Sequence, residues 1–414
     1  MGAAAFFFLP HGLPDVAPSP AQPRGSALID RGKYLTIAAD CEACHTVPGG
    51  QPFVGGLAFK LPFGTMYSPN ITPDKETGIG DWSDAEFVRA VRSGVGKHGE
   101  DLYPAFPYTS YALLSTDDIL AIRAYLATLT PIKYSPPDND LLFPFNQRYV
   151  MRGWKLLFVP GSQYQNDPSK SEAWNNGAYL VEALAHCGEC HTPRGLMFQR
   201  EQRKGLSGGV VDGWIAWNIT QDKNSGIGNW SSEEIAAYIS KGHSAGHGPA
   251  AGAMRQAIDL SLSKLPHSDI DAIVTYLKDV PAQPASYNSS PVMSAVPAVQ
   301  ASEAWSPQKK NGGLGERIFE GACASCHGWD GTGQNSVRAS LTGSHSVNDP
   351  SASNLLRVIL QGSTDFPGTS TTSMPAFADA YSDTEVAALA NYVLEHFGGR
   401  GGKITPNDVA KARE

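Results

Sequence analysis

The sequence predicts a mostly α fold in three tandem units with long loops. Three observations carry this. One short cysteine–histidine frame occurs three times along the chain. Apolar residues at helical spacing flank each frame, and no segment shows convincing strand alternation. Glycine (43) and proline (30) are abundant, as loop-rich units require. The length of 414 residues fits two to four domains at roughly 100–200 residues each.

In chain order, residues 1–23 are an N-terminal segment, apolar from Gly2 to Pro10 and then proline-rich. With no Lys or Arg ahead of its apolar run, it is read either as a disordered tail or as the outer end of a signal or anchor helix. The first unit covers 24–135. Leu28, Tyr34 and Leu35 mark its leading helix, and Ile119, Ile122, Leu126 and Leu129 its closing helix. Residues 136–169, with an aromatic run around Phe143, Phe145, Tyr149 and Trp154, read as a packed connector. The second unit, 170–280, leads with Tyr179, Leu180 and Leu184 and closes with Ile270, Ile273, Val274 and Leu277. An Ala/Ser/Pro-rich linker follows at 281–310. The third unit, 311–398, leads with Ile318 and Phe319 and closes with Val386, Leu389 and Val393. A glycine-rich, then polar tail fills 399–414. Ser83-x-x-Glu86, Ser231-x-x-Glu234 and Ser382-x-x-Glu385 are capping boxes that should start helices.

Units one and two are copies of one design. Asn70-Ile71-Thr72 matches Asn218-Ile219-Thr220, and Gly78-Ile79-Gly80-Asp81-Trp82-Ser83 matches Gly226-Ile227-Gly228-Asn229-Trp230-Ser231. Both matches have an offset of 148 residues, as from Asn70 to Asn218. Unit three is a shorter relative.

All six cysteines fall in the three frames: Cys41-Glu-Ala-Cys44-His45, Cys187-Gly-Glu-Cys190-His191 and Cys323-Ala-Ser-Cys326-His327. Two cysteines three apart on a helical turn share a face. Both thiols can form thioethers along one edge of a haem, and the following histidine turns under the ring to ligate iron. Structural zinc pairs such frames at short separation, and a redox dithiol needs no histidine. A disulfide framework is foreign to a chain this long. The expected cofactors are therefore three covalently bound haem c groups. A haem also supplies apolar surface that a Gly/Pro-rich unit of about 100 residues lacks.

A methionine sulfur on the far side of the iron would complete each site. Met374, in Ser373-Met374-Pro375, lies just before the closing helix of unit three, and Met254 lies in the matching stretch of unit two. Applying the same offset to unit one gives Phe106, which cannot ligate. Haem one thus has another sixth ligand or none. Met66 is the first candidate and His98 the second. His243, His247, His267, His345 and His396 read as surface or loop positions. Trp82 and Trp230 either hydrogen-bond haem propionates or pack in the core.

Composition narrows the partners. Thirty-two basic against 40 acidic residues give a net charge of −8, which argues against nucleic acid. No stretch reaches the roughly 18–20 apolar residues of a membrane span. The chain has no phosphate loop or catalytic-triad spacing of its own.

The sequence resembles the triple-haem cytochrome c subunits of bacterial membrane-bound dehydrogenases, which act on alcohols, aldehydes, fructose, gluconate or sorbitol. The segments carrying the resemblance include Cys41–His45, Pro62-Phe63-Gly64-Thr65, Asn70–Asp74, Leu102–Tyr108, Cys187–Arg194, Cys323–Gly328 and Ser373–Phe377. The resemblance implies three tandem class I cytochrome c-like domains. It implies a catalytic partner holding molybdenum, PQQ or flavin, with a small iron–sulfur or accessory subunit, and delivery of electrons to ubiquinone. It also implies membrane association on the periplasmic side of the inner membrane. Many members have Met where this chain has Phe106; the Phe form is more similar to cytochromes accompanying molybdenum hydroxylases. Two other readings stand beside it: a haem enzyme such as a peroxidase using an open iron in unit one, and a free-standing electron shuttle.

Overall fold

The computed structural model describes residues 11–287, 313–363, 373–399 and 401–414. The apolar start of the N-terminal segment and most of the 281–310 linker lie outside them. Among the described residues helices dominate, joined by long loops. The chain divides into two compact bodies. One comprises Met1–Glu189, Gly195–Arg200 and Leu260–Tyr276; the other comprises Cys190–Arg194, Glu201–Asp259 and Leu277–Glu414. The second unit contributes to both.

One construction recurs in every unit. Helix Ser26–Ala38 packs on Thr116–Leu126, helix Glu172–Tyr179 leads the second unit, which His267–Leu277 closes, and Leu314–Ala322 packs on Asp383–His396. A glycine marks each crossing. A Cβ on Gly32 would lie 2.0 Å from the Ala121 carbonyl oxygen, one on Gly177 1.9 Å from that of Ala272, and one on Gly315 2.1 Å from that of Ala388. Only a residue without Cβ lets two helix backbones approach this closely. Buried Leu35, Ile119 and Leu126 fill the first crossing, and Phe319, Val386 and Leu394 the third.

The capping boxes form as expected. The Glu86, Glu234 and Glu385 carboxylates accept from the Ser83, Ser231 and Ser382 backbone N–H groups at 2.7, 2.7 and 2.8 Å. They open helices Asp84–Ser93, Ser232–Lys241 and Asp383–His396. The first two of these end on the left-handed glycines Gly94 and Gly242.

Three features differ from the sequence reading. Short strands do occur: Ala58–Leu61 pairs antiparallel with Gly64–Tyr67, and Gly209–Val211 with Trp214–Ala216. Strands of three or four residues are too short to display a period of two. The connector, read as packed, also holds a helix, Val150–Phe158: Trp154 is 5% exposed, and Lys155 pairs with Asp101 and donates to the Gly94 carbonyl at 2.9 Å. The C-terminal tail is no loose end. Thr405 and Asp408 form a capping box for helix Pro406–Arg413, whose Val409 is fully buried in the core that includes Phe319 and Leu394. Among the described residues, no helix is long and apolar enough to cross a membrane.

Candidate functional site: the cysteine–histidine frames

Each frame sits on one short helical turn. Helix Cys41–His45 follows Asp40, which is left-handed at φ 51°. Helix Gly188–His191 follows His186, left-handed at φ 39°, and Cys187. Helix Ala324–His327 takes Cys323 as its N-cap. The histidine therefore lies at the end of the turn that carries the cysteines.

The three histidines share one hydrogen bond. His45 Nδ1 lies 2.8 Å from the Pro69 carbonyl oxygen, His191 Nδ1 2.6 Å from that of Trp217, and His327 Nδ1 2.6 Å from that of Ala339. A carbonyl only accepts, so Nδ1 carries the proton and Nε2 presents its lone pair outward. Burial pushes all three imidazoles below the ordinary histidine value, which keeps them neutral. A neutral, oriented imidazole with a free Nε2 is what a metal ion needs.

The Asn-Ile-Thr repeat explains how those carbonyls are placed. Asn70 and Asn218 directly follow Pro69 and Trp217. The Asn70 amide donates to the Ile132 carbonyl at 2.7 Å, and its side-chain oxygen accepts from the Thr72 N–H at 2.9 Å. Asn218 donates to Gln283 at 2.7 Å and accepts from Thr220 at 2.9 Å. In both units the loop beneath the histidine is thus tied to the strap that follows the closing helix. The sequence displayed this repeat but not its purpose.

Cys41 and Cys323 are not poised for redox exchange or for zinc. Burial raises Cys41 to about 12 and Cys323 to about 11, whereas both of those roles need a stabilised thiolate.

The first frame opens on an apolar cavity of about 440 Å³. Cys41, Cys44 and His45 form one part of its wall; Phe59, Phe87 and Leu126 contribute apolar surface, and Arg148 supplies a cation. Two thiols, an oriented imidazole, apolar walls and a cation that could pair with acidic substituents fit a c-type haem. Met66 and Phe106 line the same cavity. Met66 is 6% exposed, on strand Gly64–Tyr67. The Phe106 ring packs against Tyr108 and Tyr111, with centroids at 6.4 and 5.6 Å. His98 is exposed, and its N–H donates to Glu100. Trp82 also lines this cavity, and its carbonyl accepts from Arg123.

Met254 is part-buried on helix Gly252–Leu260, beside Arg255, which pairs with Asp259 at 3.2 Å. Met374 is part-buried against the third unit's core, and its backbone N–H donates to the Ser363 hydroxyl at 2.6 Å.

Two of the histidines read as surface or loop positions are part-buried against tryptophans. His247 stacks on Trp230 with centroids 3.6 Å apart, and His345 stacks on Trp217 at 5.2 Å. Burial pushes His345 down to about 4. The glycine-rich loop around His247 folds back onto the tryptophan face, which composition alone does not reveal.

Comparison with known proteins agrees with this chemistry. The family model "Cytochrome c" matches residues 29–130 and 313–396. The chain is 42% identical to a nicotinate dehydrogenase subunit of Pseudomonas putida, over 95% of this chain and 33% of that protein. It is 38% identical to the fructose dehydrogenase cytochrome subunit of Gluconobacter japonicus, over 96% of this chain and 84% of that one. It is 37% identical to the gluconate 2-dehydrogenase cytochrome c subunit of Pantoea cypripedii, over 94% and 90%. The chain thus spans a third of the first relative and most of the other two. It belongs to the family of dehydrogenase cytochrome c subunits, whose prosthetic group is covalently bound haem c.

Proposed function

We propose that this chain is the triple-haem electron-transfer subunit of a membrane-associated dehydrogenase complex on the periplasmic side of the inner membrane. It receives electrons from a catalytic subunit and passes them towards ubiquinone. Bound haem c supplies a one-electron iron couple. Cys41 and Cys44, Cys187 and Cys190, and Cys323 and Cys326 each hold one haem edge by thioethers. His45, His191 and His327 give the proximal Nε2, fixed by their carbonyl partners. Met254 and Met374 provide the distal sulfur in units two and three. Met66 does so in unit one, a reading supported by its place in the cavity beside His45, which His98 does not share. The observation that carries the assignment is the threefold recurrence of the frame with its Nδ1–carbonyl bond.

The three units form tandem cytochrome c-like domains at 24–135, 170–280 and 311–398. Catalysis belongs to the partner. The similarity of the Phe106 form to cytochromes accompanying molybdenum hydroxylases favours a molybdenum partner over a PQQ or flavin one. A small iron–sulfur or accessory subunit accompanies the catalytic one. Gentle solubilisation of native membranes, purification of this chain and mass spectrometry of what accompanies it test the proposal. A large dehydrogenase subunit with a molybdenum site is expected. Recovery of the chain alone and soluble would overturn it.

A further inference from the structure

His186 belongs to the second frame by sequence and to the first by contact. It immediately precedes Cys187, so backbone bonds alone join it to the second attachment site. Its side chain reaches the other way and lines the cavity of the first frame, together with Ala39, Asp40 and Cys41. The Ala39 carbonyl is near enough to the ring to offset part of the effect of burial on it. The Tyr111 hydroxyl donates to the same carbonyl at 2.7 Å, and its ring stands edge-on to His186 at 5.6 Å and 72°. Ala39 lies two residues before Cys41.

We propose that His186 is the contact through which the first and second haem sites exchange electrons. The inference rests on haem attachment at both frames. The path from Cys187 to Cys41 runs through His186, the Ala39 carbonyl and Asp40, which line one cavity wall, and the approach of the ring to that carbonyl is its single non-covalent step. Each event moves one electron. One iron is oxidised by one unit as the other is reduced, no bond is made or broken, and no proton moves. Burial favours the neutral ring.

The backbone is shaped for this contact. His186 holds a left-handed φ of 39°, uncommon for a residue with a side chain. A π-helical turn, Leu180–Leu184, precedes it, of the kind that often marks functional positions. The Cys187 N–H donates to Val181 at 3.0 Å and the Glu189 N–H to the His186 carbonyl at 2.8 Å, which fixes the turn. The third frame has Ala322 at this position, within a helix, and so has no such arm.

The test uses the full chain with His186→Phe, which keeps a ring but loses its polar edge, and His186→Gln, which keeps a donor. Haem content is measured first; loss of haem at either frame in the native chain would refute the attachment reading rather than the bridge. Sub-stoichiometric electrons are then delivered by pulse radiolysis and their redistribution is followed. The expected result is a several-fold slowing of one intramolecular phase in H186F and a smaller slowing in H186Q, with visible spectra and midpoint potentials unchanged. Native rates in both variants, or the reverse order, would overturn the proposal. So would loss of a low-spin haem signal in either variant, since His186 would then be an iron ligand.

Discussion

Replacing Met66 separates iron ligation from packing. The side chain is buried on strand Gly64–Tyr67, opposite Phe59, in a cluster with Tyr103 and Leu141. Met66→Ala removes that bulk and should cost about 2–5 kcal/mol. Met66→Leu keeps the volume and should cost less than about 1.5 kcal/mol. One kcal/mol shifts the Tm of a 60–100-residue domain by about 4–8 °C, so Met66→Leu should lower it by no more than about 12 °C. Both variants remove the sulfur. If Met66 ligates haem one, both lose the far-red sulfur-to-iron band of one haem. That haem's potential should also fall, because methionine ligation raises it. The assay pairs absorption spectra and a potentiometric titration with a thermal melt. A folded Met66→Leu variant with every sulfur band and potential intact would refute the assignment.

Further outcomes follow from the same structure. Gly32→Ala, Gly177→Ala and Gly315→Ala should each destabilise the chain by at least about 1–3 kcal/mol, the usual cost of overpacking, read by thermal melts. Equal stability in any one of them would mean that crossing is looser than described. Asp101→Asn strips buried Lys155 and Arg152 of their carboxylate. Loss of one partner of a buried pair should cost about 3–5 kcal/mol in denaturant unfolding. His345 has its folded value lowered to about 4 from 6.5. Its contribution is fully present above about 6.5 and is lost as pH falls towards 4, because the unfolded chain takes up the proton first. His345→Gln should flatten the stability profile between those values, and an unchanged profile would contradict this.

Much of the site was legible because covalent chemistry is written contiguously. A Cys-x-x-Cys-His frame needs its residues adjacent, so the three proposed attachment frames could be read directly, as could the capping boxes at Ser83, Ser231 and Ser382. Contacts between distant segments were not legible. The Pro69, Trp217 and Ala339 carbonyls carry no side-chain signature, so the histidines' partners appeared only in the structure. Gly32, Gly177 and Gly315 were visible among 43 glycines, but nothing local distinguished them from loop glycines. His345 looked like a loop residue because its tryptophan partner lies more than a hundred positions away. The helix at Pro406–Arg413 could have been read from Thr405-Pro406-x-Asp408, a capping box with proline at the first position.

The central claim is that three frames each hold one haem. Intact-mass spectrometry of the denatured chain tests it most directly, because thioethers survive denaturation. The account predicts a mass increment of three haems in the native chain and of two in a variant with both cysteines of any one frame replaced by serine. Fewer than three in the native chain, or haem that leaves on denaturation, would contradict it.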